Sequence, residues 1–164
     1  MFRCTIPSPL GNLTLASDGI ALTGLWLPGQ KYFAAGLESS AVEMPQLSVF
    51  IQTDNWLKAY FSGEPLPELP ILAPHGTVFR QAVWQQLLEI PLGNTVTYGQ
   101  ITAQMKAKGI AASPRAVGGA VGHNPISILI PCHRVVGVDG RLTGYAAGLA
   151  AKTYLLQLEK KRQK

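Results

Sequence analysis

The feature that most constrains this 164-residue chain is a proline-rich stretch at residues 64–74, where four of eleven positions are proline. Proline has no backbone N–H and a fixed φ angle, so neither a helix nor an interior strand can run through this stretch. We therefore expect an extended linker. It ends an N-terminal domain, residues 1–74, and a second domain follows over residues 75–164.

The formal charge changes sign at the same linker. Residues 1–74 carry three basic and six acidic side chains, a net charge of −3, whereas residues 75–164 carry eleven basic and three acidic ones, a net charge of +8. A strongly basic domain indicates a polyanionic partner such as nucleic acid. Four of its positive charges lie within residues 160–164, so part of the excess belongs to a solvated tail.

The composition excludes several classes of protein. With 47% hydrophobic and 14% charged residues, the chain should fold around a core and not remain disordered. The two cysteines, Cys4 and Cys132, are too few for a disulfide framework or a cysteine zinc cluster. No apolar run is long enough to cross a membrane and no signal peptide is evident. These features favour a cytoplasmic protein, or a nuclear one in a eukaryote.

Short apolar runs separated by turn residues predict strands at the start of the N-terminal domain, with Asp18-Gly19 as a hairpin turn. The predicted strands cover residues 3–6, 13–16 and 20–27. An amphipathic helix follows over residues 44–61 and ends at Ser62-Gly63. Antiparallel strands followed by a helix predict a small α+β domain, and its residues contain no catalytic set.

The second domain is predicted to be mainly helical. Good N-cap residues, Thr77 and Ser113, precede two of its helices, and Pro114 suits the first position of the second of these. The four predicted helices cover residues 78–88, 98–106, 114–122 and 149–160. A helix, a turn and a helix on a basic domain indicate a helix-turn-helix DNA binder.

The predicted helix at 114–122 has an unusual composition for a helix that reads bases. Such helices carry several long polar side chains, whereas this one offers small residues and Arg115 alone. Gly118 and Gly119 each cost a helix about 1 kcal/mol relative to alanine. Two explanations remain open: another helix packs closely on the glycines, or the helix enters a DNA minor groove with Arg115 reaching the base stack.

Two runs of apolar, largely β-branched residues, 128–130 and 135–136, flank Pro131-Cys132-His133-Arg134. We expect the runs to be buried strand-like segments and Pro131 to lie at a rigid bend between them. The thiol of Cys132 would then be held beside the imidazole of His133. This arrangement suits a preorganised nucleophile, but it is also compatible with a buried structural cysteine.

Residues 130–135 resemble the active-site signature of the O6-alkylguanine-DNA alkyltransferases, also called methylated-DNA–protein-cysteine methyltransferases. The resemblance covers residues 77–159 and includes Pro114 to Ala120, Asn124-Pro125, Gly144-Tyr145 and Lys152 to Glu159. Residues 1–74 are similar to the family only loosely, through residues 8–11. The resemblance implies an α+β fold, with a ribonuclease H-like antiparallel-sheet domain followed by a mainly helical domain with a winged-helix-like helix-turn-helix.

The resemblance also implies a function, namely irreversible transfer of the alkyl group from O6-alkylguanine, and from O4-alkylthymine, to Cys132. The partner would be double-stranded DNA, bound by a monomer through the minor groove without sequence specificity, and the lesion base would be flipped out. No metal or other cofactor is implied. The implied catalytic residues are Cys132, His133, Glu159, Tyr98 and Lys152. The implied DNA-binding residues are Arg115, Ala116, Gly118, Gly119 and Tyr98. The implied pocket and hinge residues are Asn124, Ser127, Val135, Tyr145 and Ala146.

In the roles that the resemblance implies, His133 takes the thiol proton through a water molecule and Glu159 orients His133. Tyr98 and Lys152 assist the departing guanine, and Arg115 fills the gap left by the flipped base. Two rival functions are a non-catalytic sensor of alkylated DNA and, less favoured, a cysteine hydrolase that uses Cys132, His133 and Glu159. A sensor of this type carries another residue in place of the cysteine, and a hydrolase requires an oxyanion hole.

Overall fold

The structure, a computed structural model, describes residues 1–162, and the chain divides into two compact units. The first unit comprises Met1–His75 together with Pro125–Leu129. The second comprises Gly76–Asn124 and the chain from Ile130 onward. The chain therefore leaves the second unit after Asn124, adds a short segment to the first, and returns to the second just before Cys132.

The first unit is built on a four-stranded sheet with the order β3-β2-β1-β4. Its strands are β1 (Phe2–Ile6), β2 (Leu13–Ser17), β3 (Leu22–Trp26) and β4 (Val42–Glu43). The first three strands pair antiparallel as predicted, but the short β4 pairs parallel to β1 at the edge. The predicted start of β3 at residue 20 is wrong, because the Asp18 carboxylate accepts the amide hydrogens of Ile20 and Ala21 and holds them in the turn.

Helix α1 (Ser48–Ser62) lies in the first unit and begins four residues later than predicted. The amide of Leu47 donates to the carbonyl of Met44, so the preceding residues form a turn. Gly63 ends the helix as predicted, with a left-handed φ of 82° that glycine adopts without steric cost. The buried face includes Phe50, Trp56 and Tyr60, as expected, whereas Ile51 is half exposed.

Two further segments extend the first unit at the β3 edge. The end of the proline-rich linker bonds there, because the amide of Leu22 donates to Ile71 and its carbonyl accepts from Ala73. The inserted segment bonds next to it, since the amide of Leu25 donates to the Pro125 carbonyl at 2.8 Å. The linker is therefore extended, as predicted, and it is also anchored on the sheet.

In its part up to residue 162, the second unit contains four α-helices and one two-stranded parallel pairing. The helices are α2 (Val78–Leu88), α3 (Tyr98–Ala107), α4 (Pro114–Gly122) and α5 (Leu149–Arg162), and the strands are β5 (Val96–Thr97) and β6 (Val135–Val136). The predicted bounds of α2 and α4 are confirmed, and their predicted N-caps accept backbone amides. Helix α5 extends beyond its predicted end at Lys160, and the last residues of the basic tail, Gln163 and Lys164, lie outside the described residues.

The core of the second unit places the helix-turn-helix pair against α2. Trp84 of α2 is buried, and its indole Nε1 donates to the carbonyl of Ala120 in α4 at 2.8 Å. Ile101 and Met105 of α3 and Val117 of α4 are buried as well. The predicted α+β class is confirmed. Within residues 1–162, no helix is both long and apolar enough to span a bilayer.

Candidate active site

The backbone that leads towards Cys132 turns sharply at Ile128. The amide of Leu129 donates to the carbonyl of Ser127 at 2.9 Å, which closes a three-residue turn, and Ile128 at its centre has a φ of 72°. A β-branched residue at positive φ is strained, and such strain persists only where the surrounding structure imposes it. The prediction of a strand over residues 128–130 is therefore wrong, although these residues are buried as expected.

The bend predicted at Pro131 is confirmed. Pro131 has φ −81° and ψ 64°, and the amide of Cys132 donates across it to the carbonyl of Ile130 at 2.8 Å, which is an inverse γ-turn. The same carbonyl accepts the side-chain amide of Asn124 at 2.8 Å. Cys132–Arg134 then form one turn of 3₁₀-helix that runs into β6. Backbone hydrogen bonds therefore fix the chain both before Cys132, at the Pro131 turn, and after it, in the 3₁₀ turn.

The thiol of Cys132 is 4% exposed, and this burial raises its pKa. Hydrogen bonds from the side chains of Asn124 and Tyr145 and the charge of Lys152 act in the opposite direction without cancelling the effect of burial. A thiol with a raised pKa is neutral at neutral pH, and the thiolate is the nucleophile. The site therefore needs a base that can remove the thiol proton.

His133, the neighbour of Cys132, is fully buried and bonded to Glu159. Its Nε2 donates to Glu159 Oε1 at 2.5 Å, and Nε2 must carry the proton because a carboxylate only accepts. Within residues 1–162, its Nδ1 is buried without a hydrogen-bond partner. Burial lowers the pKa of His133 although Glu159 favours the charged form. A neutral imidazole with a free Nδ1 lone pair is suited to act as a general base.

Arg134 fixes the carboxylate of Glu159 from the other side. Its Nε donates to Oε2 at 2.8 Å and its Nη2 to Oε1 at 2.9 Å, while Nη1 donates to the carbonyl of Ile90 at 2.7 Å. Burial alone would raise the pKa of Glu159, but the hydrogen bonds of His133 and Arg134 lower it to about 2. Because His133 is neutral, the permanent charge beside this carboxylate is the guanidinium of Arg134.

Lys152 of α5 lies below the surface of the site, with its side chain fully buried. Its Nζ donates to the carbonyl of Val135 at 2.6 Å and to that of Thr143 at 3.2 Å. Burial lowers the pKa of Lys152, whereas a thiolate at Cys132 would raise it. The ammonium therefore anchors two backbone segments and places a positive charge near the sulfur.

An open cavity of about 540 Å³ lies where α3, α4 and the loop after β6 meet. Its wall includes two of the residues expected from the sequence, Tyr98 and Gly118, and Gly144 lies in the wall next to Tyr145 in the chain. The described lining residues are Thr97, Tyr98, Gly99, Pro114, Gly118, Gly137, Val138, Thr143 and Gly144. They include none of the predicted pocket and hinge residues, which are Asn124, Ser127, Val135, Tyr145 and Ala146.

Ser127, also predicted as a pocket or hinge residue, belongs to the first unit, where its hydroxyl donates to the side-chain oxygen of Gln30 at 3.0 Å. Its position in the chain is nevertheless informative, because it closes the strained turn around Ile128. Among residues 1–162, no group of three or more histidine, cysteine, aspartate or glutamate side chains is arranged to hold a metal ion.

The surface of α4 tests the explanation that another helix packs closely on its glycines. Arg115, Ala116 and Gly119 are exposed, and Gly118 is half-buried. A Cβ atom at Gly119 would meet nothing within 4 Å, and one at Gly118 would meet only the Tyr98 ring, at an ordinary contact distance of 3.9 Å. Close helix packing therefore does not require these glycines. They leave a low, exposed helix face that a partner can approach closely.

Comparison with known proteins follows the division of the chain. A family described as 6-O-methylguanine DNA methyltransferase, ribonuclease-like domain, matches residues 1–71, and its DNA binding domain matches residues 78–161. The chain belongs to the 6-O-methylguanine DNA methyltransferase family. The first match agrees with the ribonuclease H-like N-terminal domain expected from the sequence, where the residues themselves showed only a loose similarity.

Relatives in this methyltransferase family match over nearly their whole length. A methylated-DNA–protein-cysteine methyltransferase of Mycobacterium tuberculosis is 48% identical over 96% of this chain and 92% of its own length. One from Haemophilus influenzae is 44% identical over 94% of this chain and 83% of its own. The crystal structure of Mycobacterium tuberculosis OGT in complex with DNA has a TM-score of 0.87, at 43% identity over 99% of this chain and 94% of that one.

Two residues of this methyltransferase site, Arg134 and Thr143, were not among those predicted from the sequence. The pairing of Arg134 had a signal, because a guanidinium between apolar runs will be buried and then needs a carboxylate. Residues 75–164 offer three acidic side chains, and Glu159 is one of them. Thr143, which lines the cavity and whose carbonyl accepts from Lys152, had no comparable signal in the sequence.

Proposed function

We propose that this protein repairs alkylated DNA by transferring the alkyl group of O6-alkylguanine, and also of O4-alkylthymine, irreversibly to the sulfur of Cys132. One observation carries the proposal. A buried thiol lies next in sequence to a neutral histidine whose Nε2 is held by an ionised carboxylate and whose Nδ1 is free to accept a proton. Membership in a family of methyltransferases that act on a protein cysteine supports the same chemistry.

The first step is removal of the thiol proton. It passes from Cys132 to Nδ1 of His133 through a water molecule, and the Glu159 carboxylate stabilises the imidazolium that forms. An ordinary thiol of pKa about 8.5 is only a few per cent thiolate at neutral pH. Burial lowers that fraction further, so a base close to Cys132 is required. The positive charge of Lys152 favours the thiolate once it forms.

In the transfer step, the S–C bond forms at the alkyl carbon while the bond from that carbon to O6 breaks. The electron pair stays with guanine, and the guanine anion takes up a proton on its ring from water. His133 then returns the thiol proton to water, so no net proton is gained or lost and the imidazole is neutral again. The hydroxyl of Tyr98, in the cavity wall, donates a hydrogen bond to the departing base. Because the thioether is stable, Cys132 is not regenerated and each molecule reacts once.

The exposed face of α4 is the proposed DNA-binding surface. Its small residues, Ala116, Gly118 and Gly119, approach the minor groove closely, and Arg115 occupies the space left by the flipped base. Flipping costs a few kcal/mol, and less for a damaged base. Asn124, at the end of α4, links this helix to the turn before Cys132. With one arginine as probe, the protein binds without reading sequence.

One copy of the chain carries every group that this mechanism names, so we propose that it acts as a monomer. The mechanism needs a free thiol at Cys132, which suits the cytoplasm, or the nucleus of a eukaryote. No step requires a metal or an organic cofactor, because the protein supplies the nucleophile, the base and the hydrogen-bond donor.

Intact mass after incubation with a duplex containing O6-methylguanine tests the proposal. Wild type should gain about 14 Da, one CH2 group, on Cys132, and Cys132→Ala should gain nothing. Unmodified protein that still binds the lesion would instead indicate a sensor. Repeated cleavage of a thioester substrate without a stable adduct would indicate a hydrolase.

A further inference from the structure

Thr143 lies in the cavity wall, where its carbonyl, its hydroxyl and its methyl group each contact a different residue. Its carbonyl accepts a hydrogen bond from Lys152 Nζ at 3.2 Å, and its hydroxyl faces the Tyr98 hydroxyl, to which it donates at 3.5 Å. Its methyl group lies against Gly137, where an added Cβ atom would come within 2.9 Å of Thr143 Cγ2. We propose that Thr143 is a positioning residue that orients the Tyr98 hydroxyl towards the substrate. This inference rests on the proposed alkyl transfer.

Gly137 supplies the space that fixes the methyl group of Thr143. Its φ of −77° and ψ of −178° are open to any residue, so the position uses the missing side chain and not glycine's backbone freedom. Its amide donates to the carbonyl of Arg141 at 2.7 Å, and a Cβ atom would also come within 3.2 Å of that oxygen. The backbone around Gly137 is thus too closely packed to admit a side chain without moving Thr143.

The fixed methyl group determines where the Thr143 hydroxyl points. The β-branched threonine side chain is limited to staggered χ1 positions, so seating Cγ2 against Gly137 leaves Oγ1 directed at Tyr98. When Oγ1 donates to the phenol oxygen, it occupies a lone pair of that oxygen and leaves the phenol O–H free to donate to the substrate. At 3.5 Å the two hydroxyl oxygens lie at the outer limit of a hydrogen bond, so the proposed positioning requires this contact to shorten when a substrate binds.

Lys152 connects this hydrogen-bond donor to the nucleophile. The same Nζ that holds the Thr143 carbonyl donates to the carbonyl of Val135, the residue that follows the 3₁₀ turn of Cys132. The Tyr98 hydroxyl is therefore placed relative to the thiol through Thr143, Lys152 and Val135. A displacement of Thr143 would move this hydrogen-bond donor away from the departing base without changing the thiol.

Two matched variants separate the contribution of the Thr143 hydroxyl to the rate from that of its methyl group. Thr143→Val keeps the shape and removes the hydroxyl, and should slow transfer from free O6-benzylguanine about three- to tenfold, the effect of one hydrogen bond. Thr143→Ser keeps the hydroxyl but loses the methyl group that is seated against Gly137, so its rate should fall between those of wild type and Thr143→Val. The rate is measured by the mass of the Cys132 adduct over time, and thermal unfolding verifies that each variant is folded.

A double-mutant cycle with Tyr98→Phe distinguishes positioning from general support of the fold. Tyr98→Phe should slow transfer by itself, and Thr143→Val should slow it no further in that background. Equal slowing by Thr143→Val in both backgrounds, or no effect of Tyr98→Phe alone, would overturn the inference. Failure of the proposed function is distinct, because wild type would then form no Cys132 adduct and the cycle would have no rate to compare.

Discussion

Single residues of the site are arranged around one buried carboxylate. Glu159 accepts from His133 on one side and from Arg134 in a two-point contact on the other, and all three side chains are buried. A carboxylate in this setting remains ionised because the guanidinium is permanently charged. It can therefore stabilise a positive charge that appears on His133 for the duration of one proton transfer.

Glu159→Gln should slow alkyl transfer and also destabilise the fold. Removing one partner leaves the guanidinium of Arg134 buried without its counter-charge, which costs about 3 kcal/mol or more. Urea unfolding measures this cost, and adduct formation on free O6-benzylguanine measures the rate. Replacing both partners, in Arg134→Met with Glu159→Gln, should recover part of the stability but not the rate. A single variant as stable as wild type would contradict the account of this pair.

The stabilising effect of Glu159 should depend on pH in a defined window. The pKa of this carboxyl is lowered in the folded protein from 4.5 to about 2, so the unfolded chain takes up its proton first as the pH falls. The stability that the ionised carboxylate contributes is therefore complete above about pH 4.5 and is lost towards about pH 2.

Urea unfolding of wild type and Glu159→Gln, repeated from pH 7 to pH 3, measures that window. The stability difference between them should be constant at the upper end and shrink below about pH 4.5. Glu68→Gln, at an exposed linker carboxylate, serves as the control and should follow wild type throughout. A difference that stays constant down to pH 3 would exclude a lowered pKa at Glu159.

At Ile128, substitution by glycine should destabilise the protein less than substitution by alanine, which is the reverse of the usual order. Its φ of 72° favours glycine, whereas its buried side chain favours isoleucine. Ile128→Ala and Ile128→Gly both lose the side chain, but only the glycine variant relieves the backbone. Urea unfolding should therefore find Ile128→Gly more stable than Ile128→Ala by about 1 kcal/mol. The opposite order would show that the turn is not strained.

Among the structural elements, α4 carries an exposed glycine that lowers its own stability. Its exposed Gly119 contacts no neighbouring group that a Cβ atom would disturb, so an alanine would fit there in the free protein. Alanine is also the better helix former by about 1 kcal/mol. A glycine at such a position is what the proposed close approach of DNA to this helix requires.

Gly119→Ala should therefore stabilise the protein and impair its reaction with DNA. We expect a higher midpoint of thermal unfolding, weaker binding to duplex DNA in a fluorescence titration, and an unchanged rate with free O6-benzylguanine. Arg115→Ala should share the selective loss on duplex DNA but not the gain in stability. Equal losses on duplex and free base for Gly119→Ala would place the effect in the cavity and not in the proposed DNA-binding face.

The elements that could be predicted from the sequence are those that local chemistry determines. Thr77 and Ser113 accept the amides of Arg80 and Ala116, three residues on, so the starts of α2 and α4 follow from the residues themselves. The turn at Ile128 could not be predicted, because isoleucine normally avoids positive φ and tertiary packing imposes it here.

At the scale of the whole molecule, the sequence overstates the charge available to DNA. Two of the eleven basic residues of the second half, Arg134 and Lys152, are buried and bonded to groups of the protein itself. Formal charge does not distinguish a solvated lysine from a buried one, so this division appears only in the folded structure.

The insertion of Pro125–Leu129 into the first unit was not predictable either, because its partner, β3, lies about 100 residues earlier in the chain.

The central claim is that Cys132 accepts one alkyl group and is then spent. The most direct test is a titration of the protein with increasing amounts of duplex that contains O6-methylguanine. At each point, mass spectrometry gives the intact mass of the protein, and the amount of repaired duplex is quantified. We predict that both quantities rise together and stop at one alkyl group and one repaired duplex per protein, with the added mass on Cys132. Repair that continues beyond one duplex per protein, or an adduct that persists in Cys132→Ala, would contradict the claim.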